Sequence, residues 1–133
     1  MGYELKAYIG RINLQNKSPE EDHHKEHYLC VYAMLDLCKI DTEGPLNNLI
    51  EDFKTAPLFN EDVYFYAHDG NTKIYQDFYD KPLTVIPVHL VYEAIQKQCT
   101  FSDYRRYHWF KALLEPMQDD PELENLYVVF YGH

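Results

Sequence analysis

From His27 to Ile40 the chain reads His-Tyr-Leu-Cys-Val-Tyr-Ala-Met-Leu-Asp-Leu-Cys-Lys-Ile, the longest nearly charge-free run in it. Leu29, Val31, Ala33, Leu35 and Leu37 recur at every second position, with Tyr28, Cys30, Tyr32, Met34 and Asp36 between them. Successive strand side chains point to opposite faces, and here both sets are largely apolar, as in a central strand. A helix continuing from Ser18 is the competing reading, because short apolar runs are not typed by periodicity alone. Read as a strand, the run sets Val31, Ala33, Leu35 and Leu37 on one buried face, beneath helices that carry Leu49 and Val91.

The remaining pattern supplies the neighbours. Tyr3 to Leu14 alternates as a half-buried strand, with Gly10 as a candidate bulge. Ser18-Pro19-Glu20-Glu21 has the form of a helix start, leading through a short helix or a long loop into the central run. After Gly44-Pro45, the residues Leu46, Leu49, Ile50 and Phe53 make one helical stripe, which stops before Pro57. Val63 to Ala67 and Thr72 to Phe78 read as strands joined by the turn His68-Asp69-Gly70-Asn71. Thr84 to Cys99 contains the clearest helix, with Pro87 in its first turn and a stripe through Val88, Val91, Tyr92, Ile95 and Cys99. A further helix capped by Ser102 runs to Pro116, and Leu126 to Tyr131 is the last strand. The order β-β-α-β-β-α-α-β predicts an α+β fold: an antiparallel sheet of about five strands with about three helices mainly on one face.

Length and composition narrow this. The chain has 133 residues, 46% of them hydrophobic, which suits one domain with a real core. No apolar run is long enough to span a membrane, and Glu4 and Lys6 interrupt any N-terminal leader, so a cytoplasmic protein is expected. Three cysteines, Cys30, Cys38 and Cys99, without a Cys-x-x-Cys pair, read as reduced and mostly buried thiols.

Charge and tyrosine content change the functional picture. The net charge is −10, and residues 41–80 alone hold nine acids and two bases. Such a field repels nucleic-acid phosphate and attracts basic surfaces. Thirteen tyrosines against seven phenylalanines suit a surface whose residues are apolar at one end and wet at the other. Together these point to a non-enzymatic protein-binding module. Glu43, Glu51, Asp52, Glu61, Asp62 and Asp69 would present carboxylates, and Tyr64 and Tyr66 would anchor the partner. The expected partner is a basic protein surface, such as that of a nucleic-acid-binding enzyme, with no direct nucleic-acid or membrane contact. A homodimer with a tyrosine-rich interface is an alternative.

Catalytic signatures are thin. Nucleophile and phosphate-loop motifs are absent, and no cofactor is implied. A metal-dependent or acid–base enzyme would draw on His23 and His27, which are i, i+4 neighbours if residues 19–27 are helical, and on His68 beside Asp69. Arg105, Arg106, His108 and Lys111 form a basic cluster expected to pair with the acidic loop 118–124.

Four stretches carry a resemblance: Tyr32–Lys39, Phe65–Asn71, Asp103–Trp109 and Val129–His133. They resemble segments of uncharacterised small acidic proteins of bacterial phages and mobile elements. Small size, acidity and abundant tyrosine are also similar to the inhibitors that such elements use against host defence, the anti-CRISPR type. The resemblance implies an inhibitor that occupies a basic nucleic-acid channel as a DNA mimic. It includes no catalytic motif and therefore implies no catalytic residue.

Overall fold

The computed structural model describes residues 4–13, 26–59 and 62–133. The proposed Ser18 helix start, His23 and Glu61 lie outside them. Strands β1 (Leu5–Asn13) and β2 (Glu26–Cys38) precede helix α1 (Pro45–Thr55). Strands β3 (Asp62–Tyr66), β4 (Lys73–Ile74) and β5 (Thr84–Pro87) follow. Helices α2 (Val88–Cys99) and α3 (Arg105–Leu114) lead through two short 3-10 turns to β6 (Leu126–Gly132). The six-stranded sheet has the order β4-β3-β2-β1-β6-β5. All neighbours are antiparallel except β2 and β3, which run parallel because α1 crosses between them. The α+β architecture is thus the expected one, with one more strand and one parallel pair.

The extra strand is β5. Thr84-Val-Ile-Pro was expected to open the second helix, but it pairs with β6 along Thr84↔Phe130 to Pro87↔Tyr127. Its β-branched residues Thr84, Val85 and Ile86 are all buried, which a first helical turn would not arrange. Pro87 lacks an N–H and sits at the end of this edge strand, where none is missed. The helix then begins at Val88, and Val88, Val91 and Ile95 are fully buried, as the stripe predicts.

The helices cover one face of the sheet. Leu5, Ala7 and Ile9 of β1 meet Ile50 of α1, Val91 of α2 and Phe110 of α3 in that core. The described residues cover the opposite face only in part. After three pairs with β2, β3 swings away, and Phe65 stacks on Tyr8 with ring centroids 4.3 Å apart. Ile12, Leu29, Val63, Phe65, Val85 and Val129 form this second, smaller core.

A bulge decides which β2 residues reach which core. Ile9 pairs with Ala33 but Gly10 pairs with Val31, so Tyr32 is the extra residue. Leu29 therefore packs with Ile12 in the second core, while Ala33, Leu35 and Leu37 pack in the helix-side core. The expectation of one continuous face is corrected at Val31: it falls on Leu29's side and is 37% exposed. Gly10 permits the bulge, because a Cβ there would fall on the carbonyl oxygen of Cys30. A second irregularity opposes Leu37 and Cys38 to Leu5, and Cys38 takes φ +56° with its N–H donated to Asp36 Oδ1 at 2.8 Å.

The three thiols are free and only partly buried. The basic cluster of α3 does not pair with the acidic loop as expected. Arg106 donates to the carbonyl of Asp36 at 2.6 Å and His108 contacts the Ser102 carbonyl, while Arg11 of β1 pairs with Glu122 at 2.9 Å. Among the described residues no helix is long and apolar enough to cross a membrane.

Candidate functional site

Tyr64 and Tyr66 lie two apart on β3 and so share a face. The parallel register sets Tyr28 of β2 directly beside Tyr64. The result is a cluster: the Tyr28 ring is 5.5 Å from Tyr64 and 5.4 Å from Tyr66, and Tyr75 stands 5.5 Å from Tyr64. Glu26 ties its floor together, accepting from the Tyr75 hydroxyl at 2.7 Å and pairing with Lys73 at 3.1 Å. The Lys73 ammonium also lies 4.7 Å above the Tyr64 ring. The hydrogen bond to Glu26 raises the Tyr75 phenol above its ordinary pKa, and burial raises Tyr28 and Tyr64. These three phenols stay neutral donors at physiological pH. Two members of the pair of anchors expected from sequence are thus brought together, and Tyr28 and Tyr75 join them.

Beside the cluster, the outer edge of β2 has no strand partner beyond Tyr28 among the described residues. β3 pairs only with Glu26 to Tyr28. Further along, Tyr104, just before α3, and Arg106 of α3 donate to the carbonyls of Leu37 and Asp36. Between them, from Leu29 to Leu35, no described strand pairs with that edge. The stretch has no charged side chain, and Val31, Tyr32 and Met34 are 37%, 57% and 50% exposed. Unpaired edges are normally protected by charge, proline or a covering element, and none of the described residues protects this one so.

The expected acidic residues are spread more widely. Glu43 lies in the turn before α1, and Glu51 and Asp52 lie on α1, all exposed. Glu51 pairs with Lys54 at 3.3 Å. Asp62 pairs in register with Glu26, close to the tyrosines. Asp69 is committed to its turn, accepting from the N–H of Asn71 and Thr72 and from the Thr72 hydroxyl at 2.8, 3.0 and 2.7 Å. Those bonds, the Thr72 amide first, lower its carboxyl to about 2.

The histidines of the enzyme reading do not converge among the described residues. His27 is in β2, not on a helix, so the i, i+4 geometry with His23 fails; it is buried with its ring 5.0 Å from Phe59. His68 is exposed at the β3–β4 turn. A different group does converge. Glu4, Asp36 and His133 place a carboxylate oxygen or imidazole nitrogen each within 4.8 Å of one another. His133 Nε2 is 3.1 Å from Glu4 and 3.9 Å from Asp36, but its Nδ1 is buried without a hydrogen-bond partner among the described residues. A ligating histidine normally donates its other nitrogen to an orienting acceptor, so the trio is best described as a polar contact closing the β1–β6 end. Positions so far apart in the chain carry no local signal of this proximity.

A cavity of about 760 Å³ opens between α1, the loop after it and the segment from Tyr75 to Val85. Phe53, Phe59, Tyr75, Tyr79 and Phe130 contribute aromatic walls. Asp77 and Thr84 also line it, and both are buried. Nothing in the one-dimensional pattern identifies this space, since it forms where the two cores meet.

No protein family, curated protein or solved structure matches this chain.

Proposed function

We propose that this protein is a non-enzymatic protein-binding module, a phage-type inhibitor of a nucleic-acid-handling host defence enzyme. The observation that carries the reading is the uncharged β2 edge from Leu29 to Leu35, which has no strand partner among the described residues, with the tyrosine cluster beside it. An open edge offers backbone amides and carbonyls to an incoming strand, and exposed tyrosines supply rigid amphipathic contact area. The net charge of −10 supports a basic partner, because it speeds encounter with surfaces built to hold nucleic acid. In this reading Glu43, Glu51, Asp52, Glu61, Asp62 and Asp69 steer the approach, DNA-like in charge, while the β2 edge, Tyr64 and Tyr66 make the contact.

The test is retention from a bacterial lysate on the immobilised protein, with partners identified by mass spectrometry. A basic nucleic-acid-binding protein is expected, released by competing duplex DNA and by salt. A double variant, Tyr32→Lys with Met34→Lys, should abolish retention while keeping the wild-type far-ultraviolet spectrum. Retention indifferent to salt, to DNA and to the edge variant would refute the proposal. A wild-type dimer in light scattering that the same variant dissociates would assign the edge to a second copy of this chain instead.

A further inference from the structure

We infer that the cavity between α1 and the Tyr75–Val85 segment is a binding site for an apolar ammonium compound, an aryl- or alkylamine, independent of the β2 edge. The first ground is Asp77. The residue is 8% exposed, lines an aromatic cavity, and has no ion pair among the described residues. Oδ1 accepts the N–H groups of Tyr79 at 2.8 Å and Lys81 at 3.0 Å, which leaves Oδ2 for a further donor. A buried carboxylate with spare acceptor capacity is costly unless a cation or donor reaches it.

Thr84 is the second, independent ground. It is 5% exposed and lines the same cavity, so the wall carries a hydroxyl as well as a carboxylate. The aromatic walls are the third. Ring faces attract cations, most strongly where water is excluded, while their bulk takes an apolar body. A volume of about 760 Å³ is in the range of pockets for small organic ligands. The two lysines at the lining do not reverse this sign. Lys54 is paired with Glu51 and its side chain is 41% exposed, and Lys81 is an exposed residue, so water screens both. Asp77 is the buried charge, and buried charges act with least screening.

The turn itself explains only half of Asp77. An asparagine would still accept the two amides through Oδ1, so the negative charge is not needed for the loop. That separation provides the experiment. Binding of 4-phenylbutylamine, 4-phenylbutanol and 4-phenylbutyrate is measured at neutral pH by titration calorimetry and amide chemical shifts. The wild type should bind the amine about tenfold or more tightly than the alcohol, and the acid weakest of the three. In Asp77→Asn the amine should fall to the level of the alcohol, with the alcohol unchanged. Thr84→Val should weaken the amine several-fold, and Val85→Trp, which fills the space, should remove binding of all three. If the acid or the alcohol matches the amine on the wild type, or none binds at millimolar concentration, the inference is overturned. It is also overturned if the amine preference survives Asp77→Asn. The wild-type comparison of the three probes stands even if a variant fails to fold.

Discussion

Gly10→Ala tests the β2 bulge on which the exposed edge depends. The new Cβ would fall on the Cys30 carbonyl oxygen, 2.8 Å from the Cys30 carbonyl carbon and 3.1 Å from the Val31 Cα. All three are backbone atoms of the neighbouring strand, so no side chain can rotate away. Relief requires β1 and β2 to part at the bulge. Overpacking alone costs ~1–3 kcal/mol. Losing one or two backbone hydrogen bonds there adds ~1 kcal/mol each. The expected loss is ~2–5 kcal/mol out of the ~5–15 kcal/mol typical of a whole domain. At this chain length that lowers Tm on the order of 10–15 °C near the middle of the range. The assay is thermal denaturation followed by circular dichroism, with Gly70→Ala as the control. Gly70 has φ +76° but open space around it, so its alanine variant bears only the left-handed backbone penalty, ~1 kcal/mol. If Gly10→Ala melts no lower than Gly70→Ala, the close approach of the strands, and the register that turns Val31 away from the helix-side core, are wrong.

Leu37→Ala should cost ~2–5 kcal/mol because the side chain is fully buried, whereas Val31→Ala should cost less than ~1 kcal/mol; urea denaturation of the pair would show equal losses if the alternation were continuous through Tyr32. Asp69 has a folded-state pKa near 2, below the ordinary carboxyl value of 3.8, so its contribution to stability is complete above about pH 4 and disappears as pH falls towards 2. Asp69→Asn should therefore flatten the fall of the urea midpoint between pH 4 and pH 2, and an unchanged slope would show that the turn bonds do not favour the charged form.

Local chemistry made much of the fold legible. The stripes Leu46–Ile50 and Val88–Val91–Ile95 are helices because their 3.6-residue spacing leaves one face to bury. The Asp69-Gly70 turn forms where it is expected because Gly70 adopts positive φ and Asp69 bonds the amides that follow it. The pairing of Tyr64 with Tyr66 was likewise readable, since residues two apart in a strand share a face.

Other features depend on partners far away in the chain. Thr84–Pro87 is a strand because β6 offers it an edge, and its own four residues carry a helix-start signal just as well. The faces of β2 exchange at Tyr32 because Gly10, on another strand, admits the Cys30 carbonyl. Among the described residues Leu29–Leu35 lacks a strand partner because β3 leaves after Tyr28, while Tyr104 and Arg106 reach only Leu37 and Asp36. The aromatic cavity around Asp77 appears only where the helix-side core meets the second one. Periodicity along the sequence determined which side chains of an element share a face. Which faces the described residues cover, and which they leave exposed, was decided by strand register and by where β3 leaves β2, both set by contacts distant in sequence.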